Sequence, residues 1–594
     1  MKIRVADFIA NTLAAHGIRH VFLVTGGGAM HLNDAFGRQK ELRYVACHHE
    51  QACAIAAEGY ARTAGKVAAV NVTTGPGGTN AITGVWGAYT DSVPMVVISG
   101  QVQYRTVVRS TDLPLRQLGD QEIDITKMVA SCTKYAEMVT DASTIKYHLE
   151  RALYLATAGR PGPVWLDIPM NIQGSLIEPS ELKGYDPQAD APPTADVTEV
   201  MERLARAERP VIIVGQGIRA SGAHDKFLKL ADKLGVPIAV SFNALDVLWD
   251  EHPLFVGRQG TIGDRAGNFA VQNADLLLIL GARMPIRQIS YNSENFARAA
   301  FKIMVDVDAA ELKKPTLKID LPIHADLNDF LDRALDAPHD GKRPESWLSW
   351  CMERRRKYPV VLPEYWNVAD SVNPYCFMDS LFDALPAGST VVSGDGTASV
   401  VSFQAARLKR GSRLFHNSGS APMGFDLPAA IGAAIAVKKD VICLAGDGSI
   451  QMNLQELQTI VTHGLPVKIF VLNNRGYHSI RQTQQNYFPD NVVGCGTESG
   501  LGFPEMEKLA GVYGFPFFRA NTHADMKEAI AKTLVTPGRA ICEVTLDLNQ
   551  VFAPKLSSRK LDDGRMVSSP LEDLAPFLPR EELASNMLVP MIKE

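Results

Sequence analysis

Val441-Ile442-Cys443-Leu444-Ala445 runs directly into Gly446-Asp447-Gly448-Ser449, and further on Val467-Lys468-Ile469-Phe470-Val471-Leu472 runs into Asn473-Asn474. Both apolar runs have the length of a strand, and between them Leu454, Leu457, Ile460 and Val461 recur at helical spacing until Gly464 and Pro466 end the helix. A strand, a helix and a second strand make one parallel crossover. Such crossovers are right-handed, so the carboxyl ends of the two strands lie side by side. Asp447 and Asn474 then face one crevice, the place where open α/β sheets bind ligands. A carboxylate and an amide oxygen suit Mg²⁺, which leaves its other positions to water and phosphate oxygens. The unit reads as a metal and diphosphate site, although an Asp-Gly turn after a strand is by itself more often only a turn.

The same alternation extends in both directions. Strands are expected at 20–24, 67–73, 95–99 and 164–168 after an opening helix at 5–16, then at 210–214, 276–280 and 302–307, and again from Thr390 to about Leu546. The fold class is α/β, with three doubly wound parallel-sheet domains at 1–178, 196–336 and 375–548. Two polar, proline-bearing stretches, 179–195 and 337–374, read as linkers. The tail, 549–594, is expected to wrap over the surface rather than form a further domain.

The 594 residues exceed what one hydrophobic core supports. With 46% hydrophobic residues, 21% charged residues and a net charge of -5, the composition is that of a soluble globular protein, with no basic excess to attract nucleic acid. No run of membrane-spanning length and no signal-peptide core is present, so a cytoplasmic location is expected, with no membrane partner. The eight cysteines are scattered without a Cys-x-x-Cys pair, which favours reduced, buried thiols.

Glu50 stands in His48-His49-Glu50-Gln51-Ala52, and Ala54, Ala57, Gly59 and Ala61 give the helix that follows a small face suited to close packing. A carboxylate at a helix start is also explained by the helix dipole alone.

Together these segments resemble the thiamine diphosphate enzymes. Gly-Asp-Gly-Ser followed by Asn-Asn is similar to that family's signature. The resemblance implies thiamine diphosphate and Mg²⁺ as cofactors, with Asp447, Asn474 and the carbonyl of Gly476 as metal ligands and Thr397, Gly446, Gly448 and Ser449 around the diphosphate. Residues 49–62 resemble the pyrimidine-binding domain of acetohydroxyacid (acetolactate) synthase. That implies a hydrogen bond from Glu50 to N1′ of the cofactor pyrimidine, where it acts as the acid–base trigger, a role that asks for a carboxyl group shielded from water. Ser418-Gly419-Ser420-Ala421-Pro422-Met423-Gly424 resembles the family's Ser-Gly-x-x-x-Met-Gly turn. There Met423 would prop the bent cofactor and the Ala421 carbonyl would accept from its 4′-amino group, although a methionine followed by Phe425 and Leu427 is on sequence alone more often core. Because the glutamate and the diphosphate site belong to different domains, the resemblance implies a homo-oligomer, a dimer at least and a tetramer in many relatives.

Gly75-Pro76-Gly77-Gly78 lacks the Lys-Ser/Thr ending of a P-loop. Gly215-Gln216-Gly217 follows a strand and is equally a dinucleotide turn or a packing turn. Residues 255–261, Gly281-Ala282-Arg283 and Asp306-Val307-Asp308 resemble the FAD-binding middle domain of the synthases. FAD is therefore a candidate third cofactor, with Arg160, Gly215, Gly217, Arg283 and Asp306 as its contacts. The chain departs from the family at Met284-Pro285-Ile286, where the family reads Phe-Asp-Asp.

The resemblance implies decarboxylation of a 2-keto acid, pyruvate first, and transfer of the two-carbon unit to a second carbonyl. Gln121 and Glu122 align with the stretch that lines the acceptor pocket, although a surface Gln-Glu pair is the commoner explanation. The chain has Met170 where many synthases have a lysine and Thr483 where they have a tryptophan, and both changes bear on the acceptor. Acetolactate formation is the first reading and transfer to a keto-sugar the second. A pyruvate oxidase or a simple decarboxylase follows.

Overall fold

Every apolar run read as a strand pairs in parallel with its neighbours. The computed structural model, which describes residues 1–187, 193–339, 341, 343–560 and 566–592, gathers these runs into three six-stranded sheets. In the first, the strands lie in the order Arg43–Ala46, His20–Leu23, Ala68–Val72, Met95–Gln101, Pro163–Pro169, Tyr135–Met138. The third repeats that topology with Arg413–Phe415, Thr390–Ser393, Val441–Gly446, Val467–Asn473, Ala540–Thr545 and Phe517–Ala520. The middle sheet differs. Phe255–Arg258, Ile238–Val240 and Pro210–Val214 run outward on one side, while Leu276–Leu280, Phe301–Asp306 and Leu321–His324 run outward on the other, the order of dinucleotide-binding folds. The central strands are buried on both faces, which is why they read as unbroken apolar runs.

The helix Glu50–Ala64 of the first domain packs along Asp426–Val437 of the third, and their residues share one core. Glycines allow this approach. A Cβ on Gly432 would lie 1.9 Å from the carbonyl oxygen of Ala56, and one on Gly59 would lie 2.2 Å from that of Ala429. Gly432→Ala is therefore expected to destabilise the chain by about 2–4 kcal/mol, since two backbones have to separate. A lowered denaturation midpoint in urea checks this.

Two expectations need correction. The stretch 337–374 is not all linker, because Glu345–Lys357 is a helix. Trp347 and Cys351, one turn apart, enter the middle-domain core, and the Trp347 indole donates to the Pro210 carbonyl at 3.0 Å. Its run of charges, Glu353 to Lys357, hid this two-residue apolar face. The helix after Asp447 also begins later than its apolar spacing suggests: Ile450–Asn453 is a 3₁₀ turn and the α-helix proper is Glu456–Thr462. The tail lies against the middle domain, where Leu571 joins the core and Glu572 pairs with Arg298 at 2.8 Å. All eight cysteines are buried free thiols. Among the described residues no helix is long and apolar enough to cross a membrane.

Candidate active site

In the third sheet the strand order reverses between Thr390–Ser393 and Val441–Gly446, and the crevice outside their carboxyl ends holds the predicted metal residues. Asp447 is 5% exposed. One of its carboxylate oxygens accepts from the Gly448 N–H and the other from the Gly476 N–H, each at 2.9 Å. Burial pushes its pKa up to about 7, against these hydrogen bonds and the nearby Arg481, which favour the charged form. Asn474 is 4% exposed; its amide N–H donates to the Thr397 hydroxyl at 3.0 Å, and its side-chain oxygen has no partner. A buried acceptor left bare costs free energy, and a cation beside it removes that cost. Gly476 completes the set. At its φ of 135° a Cβ would sit 1.8 Å from the Cys495 carbonyl oxygen, so only glycine fits. Its own carbonyl accepts from His478 N–H at 3.1 Å and keeps a second lone pair. The donors are one carboxylate, one amide oxygen and one carbonyl, a hard-oxygen set that fits Mg²⁺. Among the described residues no cluster of three or more His, Cys, Asp or Glu offers a rival metal site.

Sequence reasoning missed the residues that hold this set in place. Arg481 donates to the carbonyls of Asn474 at 3.1 Å and Arg475 at 2.6 Å, fixing the turn from inside. Its place one helical turn past Gly476 was the available signal. Asp426 was hidden in an apolar helix start. Its carboxylate accepts from the Ser449 hydroxyl at 2.6 Å, and that hydroxyl accepts from the Gly424 N–H at 2.8 Å. The Ser449 side chain is thus occupied in joining the Gly446–Ser449 turn to the Met423 turn.

Met423 is 38% exposed at the crevice, not core. Its turn is anchored from the first domain: Ser418 N–H donates to Asp91 at 3.1 Å, and Asn417, which donates to Glu58 at 2.9 Å, accepts from Ser420 N–H at 3.1 Å. Ala421 takes a φ of 50°, which aims its backbone where a β-branched residue would be strained.

Glu50 opens its helix, with the His49 ring accepting from Gln51 N–H at 3.1 Å and the Glu50 carboxylate accepting from the Asn80 amide at 3.0 Å. It is half-buried, less shielded than the expected role demands, and among the described residues it shares no hydrogen-bond partner with Asp447. Gln121 is exposed at a φ of 62°, its carbonyl oxygen where a Cβ on Gly75 would come to 2.1 Å. Glu122 instead organises its loop, accepting from the N–H of Val108 at 3.1 Å and of Leu118 at 2.9 Å.

The comparisons follow this division of the chain. Residues 3–128 match the N-terminal TPP binding domain of thiamine pyrophosphate enzymes, 197–334 their central domain, and 394–544 their C-terminal TPP binding domain. The large subunit of acetolactate synthase isozyme 1 from Escherichia coli is 30% identical over 92% of this chain and 95% of its own length. Acetolactate synthase 1 from Zea mays is 32% identical over 93% and 87%, and acetolactate synthase from Arthrospira platensis 30% over 92% and 95%. The chain belongs to the thiamine pyrophosphate enzymes.

In this acetolactate synthase-like enzyme a second cleft of about 420 Å³ opens where the middle sheet reverses its strand order. Gly215 and Gly217 line it, but their lack of side chains is also required by packing: a Cβ on Gly215 would lie 2.1 Å from the Gly281 carbonyl oxygen. Arg283 pairs with Asp91 at 3.3 Å, and Arg160 with Glu311 at 2.7 Å and Asp308 at 3.2 Å. Asp306, at a strand end, has its pKa pushed up to about 6 by burial. The position, the glycine turns and the strand-end acid suit a dinucleotide.

Proposed function

We propose that this enzyme is a carboligase that decarboxylates a 2-keto acid, pyruvate first, and passes the two-carbon unit to a second carbonyl, acetolactate being the product when that carbonyl is another pyruvate. The observation that carries the reading is the buried Asp447 and Asn474 pair with its unpartnered oxygen, in a chain that aligns nearly end to end with acetolactate synthases. Asp447, Asn474 and the Gly476 carbonyl would hold Mg²⁺, Thr397 orients Asn474, and Gly446 and Gly448 would let the backbone approach the diphosphate. When bound, thiamine diphosphate supplies the nucleophilic carbon and the electron sink for loss of CO₂. Met423 would support the cofactor, the Ala421 carbonyl would accept from its 4′-amino group, and Glu50 would hold and release a proton at N1′.

Two copies complete the site. Glu50 is only half covered in one chain, and Met423, Met452 at 42% exposure and Leu113 at 61% present apolar surface beside the crevice and on the first domain, as a partner chain requires. A homodimer is the minimum unit and a tetramer its doubling.

The cleft of the middle domain is the place for FAD. A flavin band in the visible spectrum of the purified protein is the expected result. A colourless protein that takes up no FAD removes the flavin from the account.

Transfer to a keto-sugar is the second reading. It is favoured by the long segment between the strand ending at Gln101 and the helix Ile125–Val129, on which Arg105 and Arg116 are exposed and suit an anionic acceptor. Product analysis separates the readings: pyruvate alone gives acetolactate in the first, a branched sugar forms only with a keto-sugar in the second, and acetate or acetaldehyde as sole product contradicts both.

A further inference from the structure

The segment that follows the diphosphate turn touches its own chain at a second place, the turn leading into Glu50. Glu456 is fully buried and accepts from the His48 backbone N–H at 3.0 Å through one oxygen and from the Thr459 hydroxyl at 2.6 Å through the other. Asn453, equally buried, donates to the Gly424 carbonyl at 2.8 Å and to the Gln51 side-chain oxygen at 3.3 Å. Two side chains of one short stretch thus grip the residues on either side of position 50, and one of them also grips the residue after Met423. Both Glu456 oxygens are thus engaged by groups of its own chain. A hydrogen bond to a backbone N–H is directional, and its loss frees the His48 backbone from the interior.

We infer that Glu456 and Asn453 are positioning residues for Glu50. The stretch after the diphosphate turn of a chain sets the angle at which that chain presents Glu50 to the cofactor held by its partner. This rests on the two-chain reading given above. It makes the geometry of one activation step depend on the order of the neighbouring diphosphate segment, and misplacement of a reacting group by about an ångström costs on the order of 100-fold in rate.

Three measurements on full-length Glu456→Ala and Glu456→Gln test it. In the cofactor-free protein, amide deuterium exchange over residues 47–51 is expected to rise roughly tenfold or more in the alanine variant. Binding of magnesium and thiamine diphosphate stays within about threefold of wild type, while exchange of the cofactor C2 proton slows on the order of 10- to 100-fold. Glu456→Gln keeps a carbonyl oxygen for the His48 N–H and restores C2 exchange to within a few-fold. Unchanged C2 exchange in Glu456→Ala, alongside slowed exchange in Glu50→Gln, overturns the positioning role alone. Unchanged exchange in Glu50→Gln as well means that the trigger reading has failed, and the positioning role falls with it. Cofactor affinity that falls in step with C2 exchange marks a general loss of structure and also overturns the inference.

Discussion

Asp447→Ala is expected to abolish magnesium-dependent binding of thiamine diphosphate, weakening it by well over about 100-fold, and with it all turnover. The carboxylate is the one charged oxygen in the donor set, and it also holds the Gly476 N–H that aims the third donor. Its protonation gives the binding a pH signature. Burial keeps the carboxyl group neutral up to about pH 7 in the metal-free chain, whereas the metal takes the charged form. Affinity is therefore expected to fall about tenfold per pH unit below about 7 and to level off above it. The stability of the metal-free protein runs the other way. A carboxyl group whose pKa is raised on folding contributes stability that is full below its unfolded value, about 3.9, and lost as pH rises toward about 7. Magnesium with the cofactor restores it. Calorimetric titrations of wild type at several pH values, with Asp447→Ala as the blank, measure both effects. A flat profile contradicts the assignment of Asp447.

Glu50→Gln is expected to leave cofactor binding nearly intact and to slow C2-proton exchange and turnover by roughly 10²- to 10⁴-fold, the range for removing a general acid–base group. The substitution keeps the shape of the side chain and its contact with Asn80, so a fall in rate does not reflect misfolding. Exchange of the C2 proton, followed by rapid quench and NMR, isolates this step from the identity of the substrate. Exchange at the wild-type rate removes Glu50 from the trigger role.

Much of the fold was legible because the strands that carry it are buried on both faces and read as unbroken apolar runs: 210–214 and 276–280 form strands over the residues that the pattern marks. The edge strand Arg43–Ala46 is mostly open to water and Phe517–Ala520 only partly covered, and with little apolar periodicity they left a weaker trace. The helix Glu345–Lys357 escaped because two buried residues among many charges do not make a pattern. In the site, Asp447 and Asn474 were visible since chain order alone places two neighbouring strand ends together, while Gly476 was named only through the family resemblance. Glu58, Asp91, Asp426 and Glu456 were not. Each is a buried carboxylate whose partner lies far off in sequence or inside an apolar helix, and local spacing carries no trace of such a contact. Ser449 shows the converse, since its place in the motif suggested the cofactor while its hydroxyl serves Asp426 and Gly424.

That one chain supplies Glu50 and another supplies Asp447 to the same cofactor is the claim on which the rest depends. Mixing Glu50→Gln chains with Asp447→Ala chains under exchange conditions tests it directly, because half of the resulting dimers are mixed and each mixed dimer rebuilds one intact site out of two. Recovery of about a quarter of wild-type activity from two inactive proteins is the predicted result. A mixture that stays as inactive as its parents, although mixed dimers have formed, places both residues in one chain's site and contradicts the account.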